Sequence, residues 1–65
     1  MKLTVNGERR EAAAATVLDL LAELGLNPAV TVVERNAEIV ARASYGDTVL
    51  ADGDILELVR IVGGG

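Results

Sequence analysis

The 65-residue sequence predicts one α+β domain, in which a mixed sheet of four to five strands carries a single helix on one face. Three observations predict this fold class. The chain opens with the pattern of a β-hairpin, only one segment has helical periodicity, and the chain closes with a long aliphatic strand pattern. Since one helix covers one face of such a sheet, we expect the other face to be open.

The first element is a hairpin. "MKLTV" alternates, with Met1, Leu3 and Val5 on one side, which is typical of a half-buried strand. Asn6-Gly7 follows, and both residue types tolerate the positive φ that a type I′ turn requires. Residues 8–12, "ERREA", therefore form a short polar return strand.

The only predicted helix follows the alanine run. Its apolar stripe has the spacing i, i+3, i+4 and i+7, and consists of Val17, Leu20, Leu21 and Leu24. Thr16 and Asp19 resemble a capping box, Gly25 supplies a C′ residue, and Pro28 prevents continuation. We expect about nine helical residues, too few to be stable without packing on a sheet.

The later strands are predicted at residues 30–34, at the short piece "EIVA", and at residues 55–62. In the last strand Leu56, Leu58, Arg60 and Val62 share one face. Ile55, Glu57, Val59 and Ile61 share the other, which we place outward because of Glu57. A hairpin, a helix and then these strands is the β-grasp order. The chain is thus divided into a domain of residues 1–62 and a flexible glycine tail of residues 63–65.

The composition excludes several classes of function. There is no Cys and no His, so thiolate or imidazole metal sites and a cysteine nucleophile are absent. Ten acidic against six basic residues, with one aromatic, argue against a nucleic-acid partner. No apolar stretch approaches the roughly 20 residues of a membrane span. We expect a cytoplasmic protein whose partners are proteins, and which is not itself an enzyme.

Two pairs of carboxylates are the remaining candidates for catalysis. Asp52 and Asp54 flank Gly53, and Asp19 and Glu23 lie one turn apart on the helix. Ordinary turn chemistry and stabilisation of the helix dipole explain them better, because a general acid needs a desolvating pocket that 65 residues hardly build.

The closing stretch "RIVGGG" is the strongest functional signal. Glycine is costly to order and cannot pack, so Gly63, Gly64 and Gly65 form either a frayed end or an arm that enters a narrow channel. The α-carboxylate of Gly65 is an anion at neutral pH and a poor electrophile. It reacts only after a partner activates it, for example by adenylation with ATP, which makes this chain a substrate and carrier.

The sequence resembles the ThiS family, the small ubiquitin-like β-grasp sulfur carriers of thiamine (thiazole) biosynthesis. The resemblance spans essentially the whole chain: "LTVNGERRE", "TVLDLLAELGL", "VVERNAEIV" and "DGDILELVRIVGGG". The combination of the middle segment "VVERNAEIV" with the final segment "DGDILELVRIVGGG" is fairly specific for this family, whereas a Gly-Gly end by itself is a weak signal.

The resemblance implies a reactive tail. An E1-like adenylyltransferase adenylates Gly65, a sulfur donor such as a persulfide protein displaces AMP, and thiazole synthase accepts sulfur from the resulting thiocarboxylate. By position, Gly64 and Gly65 match the family's reactive end. The chain itself is expected to hold no cofactor and no metal, and ATP is consumed by the activating partner.

Three other functions remain open. The small subunit of molybdopterin synthase has the same fold and ending, although it is usually longer and has a "PPVSGG"-like tail. A ubiquitin-like protein modifier, joined through Gly65 to lysines, has an identical tail. A plain interaction module with a frayed end would keep its function without Gly64 and Gly65.

Partner contact is predicted just before the tail. A partner that holds the tail also meets the strand that precedes it, so we expect Val59 and Ile61 to be exposed apolar anchors, with Arg60 and Gly63 beside them. The alternative places both side chains in the core, because a one-residue shift of register exchanges the two faces of a strand.

Overall fold

The computed structural model describes residues 1–62, which form a five-stranded sheet with one α-helix on one face. The elements are β1 Lys2–Val5, β2 Glu8–Glu11, α1 Val17–Glu23, β3 Thr31–Arg35, β4 Glu38–Val40 and β5 Ile55–Arg60. The order across the sheet is β2-β1-β5-β3-β4. Only β1 and β5 run parallel, and the other pairs are antiparallel. The predicted α+β, β-grasp architecture is confirmed.

The first hairpin turns as the sequence predicts. Asn6 and Gly7 have φ values of 49° and 82°, and Val5 pairs with Glu8 across the turn. Its strands are each slightly shorter than expected, since β1 begins at Lys2 and β2 ends at Glu11. Met1 was expected on the buried face, but it lies at the frayed end of β1 and is 38% exposed.

The helix has the predicted caps and is shorter than predicted. The hydroxyl oxygen of Thr16 accepts a hydrogen bond from the Asp19 amide at 3.2 Å. At the other end Gly25 has a φ of 71°, and the amides of Gly25 and Leu26 donate to the carbonyls of Ala22 and Leu21. This pattern is a Schellman motif, and it ends the helix after seven residues instead of about nine.

The boundaries of the later strands also differ from the prediction: β3 is shifted by one residue, from 30–34 to 31–35, and β4 ends at Val40, one residue before the end of "EIVA". Val30 does not begin β3, because residues Pro28–Val30 form a 3₁₀ turn in which the Asn27 side chain accepts a hydrogen bond from the Ala29 amide. The last strand ends at Arg60, so Ile61 and Val62 lie beyond it. Val62 was placed on the inner face, but it is 84% exposed because the strand has passed the end of the core.

The core lies between the helix and the inner face of the sheet. The helix contributes Val17, Leu20 and Leu21, each with no exposed surface. The sheet contributes Leu3, Val5, Val33, Leu56 and Leu58, and the segments between elements add Ala12, Ala14, Tyr45 and Leu50. None of the helices in the described residues is long and apolar enough to cross a membrane.

Tyr45 is the one aromatic side chain, and the structure buries it in the segment between β4 and β5. It is 3% exposed, and its hydroxyl donates a hydrogen bond of 2.7 Å to the Thr31 carbonyl. Thr31 lies before the stretch of β3 that pairs with β4, which begins at Val33. The tyrosine hydroxyl therefore satisfies a carbonyl that the sheet leaves without a partner on that side.

Asp54 connects three segments that meet at the start of β5. One carboxylate oxygen accepts hydrogen bonds from the Ala51 amide and from Nε of Arg35, both at 2.8 Å. The other accepts from the side-chain amide of Asn36 at 3.0 Å. Only 8% of the Asp54 side chain is exposed, so these bonds form largely out of water.

Replacing Asp54 should destabilise the fold most at neutral pH. Burial raises the pKa of Asp54, but the bonds from Ala51, Asn36 and Arg35 and the charge of Arg35 outweigh it and leave this pKa below its ordinary value. The carboxylate therefore stabilises the fold above about pH 4, and this stability is lost as the pH falls through the lowered pKa. We expect Asp54→Asn to cost about 2–4 kcal/mol at pH 7, because an amide then faces the same donors.

The measurement is denaturant unfolding of both proteins from pH 7 down to about pH 2.5. The difference between wild type and Asp54→Asn should shrink as the pH falls. Asp47→Asn is the matched control, because Asp47 is exposed and should change stability by less than about 0.5 kcal/mol. A constant difference across the pH range would contradict the assignment to the ionised carboxylate.

Tyr45→Phe keeps the ring and removes only the hydroxyl. The buried Thr31 carbonyl then loses its donor, so we expect a loss of about 1–3 kcal/mol in the free energy of unfolding. Urea unfolding followed by circular dichroism measures this loss. A change below about 0.5 kcal/mol would mean that this bond does not hold the 42–48 segment on the sheet.

Candidate functional site

The chain leaves the domain from the middle of the sheet. β5 lies between β1 and β3, and beyond its end the Ile61 amide still donates to the Val30 carbonyl at 2.7 Å. Whatever follows Val62 is thus attached to the strand with neighbours on both sides. Gly63, Gly64 and Gly65 lie outside the described residues, so their predicted roles and flexibility stay predictions.

The two faces of β5 differ as the sequence predicts. Leu56 has no exposed surface and Leu58 is 9% exposed, whereas Val59 is 58% and Ile61 is 50% exposed. The outward orientation of Val59 and Ile61 is confirmed, and the alternative that places them in the core is wrong. Arg60 lies on the same face of the strand as Leu56 and Leu58, but it is also exposed because it lies beyond the core. Whether these residues bind a partner stays a prediction.

Val59 and Ile61 are part of a larger apolar surface. In the sheet register Val59 lies opposite Val32, and Ile39 and Ile55 project from the same outer face. We call Val32, Ile39, Ile55, Val59 and Ile61 the open-face patch. All but Val32 are at least half exposed. The sequence did not indicate Ile39, because its membership depends on the β3–β4 register and on β4 being an edge strand.

Three of the four carboxylates that were weighed as catalytic candidates accept hydrogen bonds within the fold. Asp52 accepts from the Lys2 amide at 2.6 Å, and Glu23 accepts from the Ala13 amide at 3.1 Å. Asp54 holds the three segments described above, and Asp19 lies in the first turn of the helix. Within residues 1–62 there is no group of three acidic side chains that could hold a metal ion.

These features define a class of protein. A five-stranded β-grasp sheet with one helix, whose last and central strand leads directly into a glycine tail, is the architecture of the ubiquitin-like carriers and modifiers. The family model described as "ThiS family" matches residues 3–65, which is nearly the whole chain and includes all three tail glycines. The chain belongs to the ThiS family.

Individual relatives agree with this assignment. The sulfur carrier protein ThiS of Bacillus subtilis is 44% identical over 50 residues, which are 77% of this chain and 76% of that protein. The fold is also similar to the crystal structure of the thiamine biosynthesis protein ThiS from Geobacter metallireducens. The two structures align over the full length of both chains, with 35% sequence identity and a TM-score of 0.84.

A third relative is much longer. The thiazole synthase of Paramagnetospirillum magneticum is 50% identical to this chain over 66 residues, which include all of this chain. The chain spans one fifth of the length of that relative. A stretch similar to the whole of this chain therefore occurs within a larger protein.

Polar substitutions in the open-face patch should leave the domain stable. Val59→Thr and Ile61→Thr keep a β-branched side chain on an exposed position, so we expect changes within about 0.5 kcal/mol. The control on the same strand is Leu58→Ala, which empties a core position and should cost about 2–4 kcal/mol. Equal losses from Val59→Thr and Leu58→Ala in chemical denaturation would mean that the outer face is buried in solution.

Proposed function

We propose that this chain is a sulfur carrier of thiamine biosynthesis, and that its sulfur is carried as a thiocarboxylate on Gly65. The observation that carries this proposal is the family match, which extends through residue 65 and so includes the tail. The Bacillus subtilis relative, a sulfur carrier protein, supports it, because the alignment covers more than two thirds of each chain.

The proposed chemistry begins at the terminal carboxylate. One carboxylate oxygen of Gly65 attacks the α-phosphate of ATP in an E1-like adenylyltransferase, and pyrophosphate leaves. The acyl adenylate has AMP as a good leaving group, so a sulfur nucleophile, such as a persulfide on a donor protein, can attack the acyl carbon. This attack releases AMP and joins Gly65 to the donor through an acyl disulfide. A thiol of a partner protein then attacks the donor's sulfur in that S–S bond, which leaves a thiocarboxylate on Gly65 and a disulfide on the partner side. The carrier contributes the acyl group, and its partners contribute the catalytic residues.

Features of the described residues support the proposal that the carrier contributes the acyl group and its partners contribute the catalytic residues. The carboxylates of Asp52, Asp54 and Glu23 accept hydrogen bonds within the fold, and the base of the tail follows the best-paired strand of the sheet. Three extended glycines would reach about 10 Å beyond that strand, without side chains to obstruct a narrow channel. The open-face patch lies next to this exit, so a partner that contacts Val59, Arg60, Ile61 and Gly63 would also have access to the tail.

Thiazole synthase is the proposed acceptor of the sulfur. A protein of that name contains a stretch 50% identical to this chain, which supports a common task for the two domains. The same family match favours this acceptor over molybdopterin synthase. A protein modifier remains an alternative, and it differs in a measurable way because its Gly65 would end in an amide bond to lysines of other proteins.

Loss of the last two glycines should abolish sulfur transfer without unfolding the domain. The proposal requires that Gly65 carry the terminal carboxylate in the mature protein, and intact-mass analysis of protein from the native host measures this directly. We expect a wild-type species in which one oxygen is replaced by sulfur, and no such species from the variant that lacks Gly64 and Gly65. The variant should also fail to support growth without thiamine.

The control is the stability of the truncated variant, which should match wild type within about 0.5 kcal/mol. Val59→Thr and Ile61→Thr, with the tail intact, should slow adenylation instead of preventing it. Growth of the host without thiamine on the truncated variant would contradict the carrier function. Wild-type Gly65 found only in amide linkage to other proteins would favour the modifier.

A further inference from the structure

Two glutamates lie directly opposite each other on the outer face of the sheet. Glu34 of β3 is paired in register with Glu57 of β5, and both have the outward parity of Val32 and Val59. The Ile61 amide bonds to Val30, so residues of odd number on β5 form the hydrogen-bonded pairs of this ladder. Side chains in such a pair have Cβ atoms about 5 Å apart. The two glutamate side chains therefore leave the sheet from neighbouring positions on the same face.

The surroundings of this acidic pair are apolar. Ile39 lies opposite Glu34 on the other side of β3, and Val32 with Val59 form the next row toward the tail. Ile55 precedes Glu57 on the same face and is 53% exposed. The acidic pair thus lies within the open-face patch, not at its border.

No cation of the described chain neutralises the pair. The ion pairs among residues 1–62 are Met1 with Glu11 and Arg35 with Asp54. Arg35 and Arg60 have the opposite parity on their strands. Lys2 and Arg9 both project from the outer face. The parallel register of β1 with β5 places Lys2 four residues from the level of Glu57, which is about 13 Å, and Arg9 lies on β2, two strands from β5, and forms no ion pair among residues 1–62.

Like charges directly opposite each other destabilise a sheet. Nothing in the described fold offsets this cost, since neither carboxylate bonds to a donor among residues 1–62. The two side chains therefore weaken the free domain while they give the patch a defined centre of negative charge. This combination fits a surface that becomes neutral only in a complex.

We propose that the acidic pair receives a guanidinium group of the activating enzyme when that enzyme docks on the open-face patch. This inference rests on the proposed function and adds the chemistry of the contact to it. Arginine fits better than lysine, because its planar fork can bridge two carboxylates while its apolar faces lie against Ile39, Val59 and Ile55. Charge complementarity, not area alone, then selects the partner.

The test measures stability and binding, because the proposal predicts that the same substitutions leave the first unchanged or raised and lower the second. Glu57→Gln and Glu34→Gln remove the repulsion, so the melting temperature of the free domain should stay the same or rise by about 1–4 °C. The affinity for the host's activating enzyme, measured by calorimetry, should fall about tenfold or more. Added salt should weaken the binding of wild type more than that of the variants. Glu8→Gln, at an exposed position of β2, is the matched control and should bind as wild type does.

The outcomes separate this inference from the proposed function. If wild type binds the enzyme and acquires sulfur, and the Gln variants bind within twofold of wild type, the proposed acidic-pair contact is wrong. The carrier function would stay intact in that case. Wild type that neither binds nor acquires sulfur overturns both. If wild type self-associates through this face and the Gln variants are monomeric, the acidic pair contacts a second copy of the chain. That result also overturns the inference.

Discussion

The buried carboxylate of Asp54 is the contact on which the arrangement of the central strand depends. It bonds at once to the turn before β5 through Ala51 and to the end of β3 through Arg35 and Asn36. Without it, the Ala51 amide and the side chains of Arg35 and Asn36 would lose their shared acceptor at the point where β5 enters the sheet. A buried ion pair is justified energetically only when such additional bonds satisfy the charge, and here they do. The position of β5, and with it the exit of the tail, follows from this contact.

The turns of the two hairpins fix the same strand from either side. Asn6 and Asn36 both have positive φ values, and both use their side chains on β5. The Asn6 side chain accepts from the Leu58 amide and donates to the Leu58 carbonyl, which continues the ladder beyond the last residue of β1. The Asn36 side chain accepts from the Ile55 amide. A glycine would adopt the same backbone, but it would not supply these bonds, so asparagine here serves both the turn and the sheet.

The sequence predicts those parts of the fold that depend on local pattern. The alternation in β1, the Asn6-Gly7 turn, the helix caps and the outward face of β5 all depend on neighbours along the chain, and all are confirmed. The sequence assigned Asp54 only to a turn and predicted no contact for Tyr45, because the partners of both lie 14 to 19 residues away and are set by tertiary packing. The alanine run shows the same limit. Ala has the highest helix propensity, yet residues 12–15 lie outside the helix, and tertiary packing buries Ala12 and Ala14. Ile39 and the Glu34–Glu57 pair depend on strand register, which no single segment encodes.

The topology places buried core residues and exposed residues on alternate positions of one strand. With a single helix, the small domain buries Leu56 and Leu58 on one face of β5 and exposes Glu57, Val59 and Ile61 on the other. A protein of this size has little interior in which to build a site, so its specificity must lie on its surface. Because β5 leads into the tail, a partner that docks on the outer face is already positioned at the end of the chain. Changes on the outer face can therefore alter the choice of partner at little cost to folding, whereas the inner face cannot change without loss of the core.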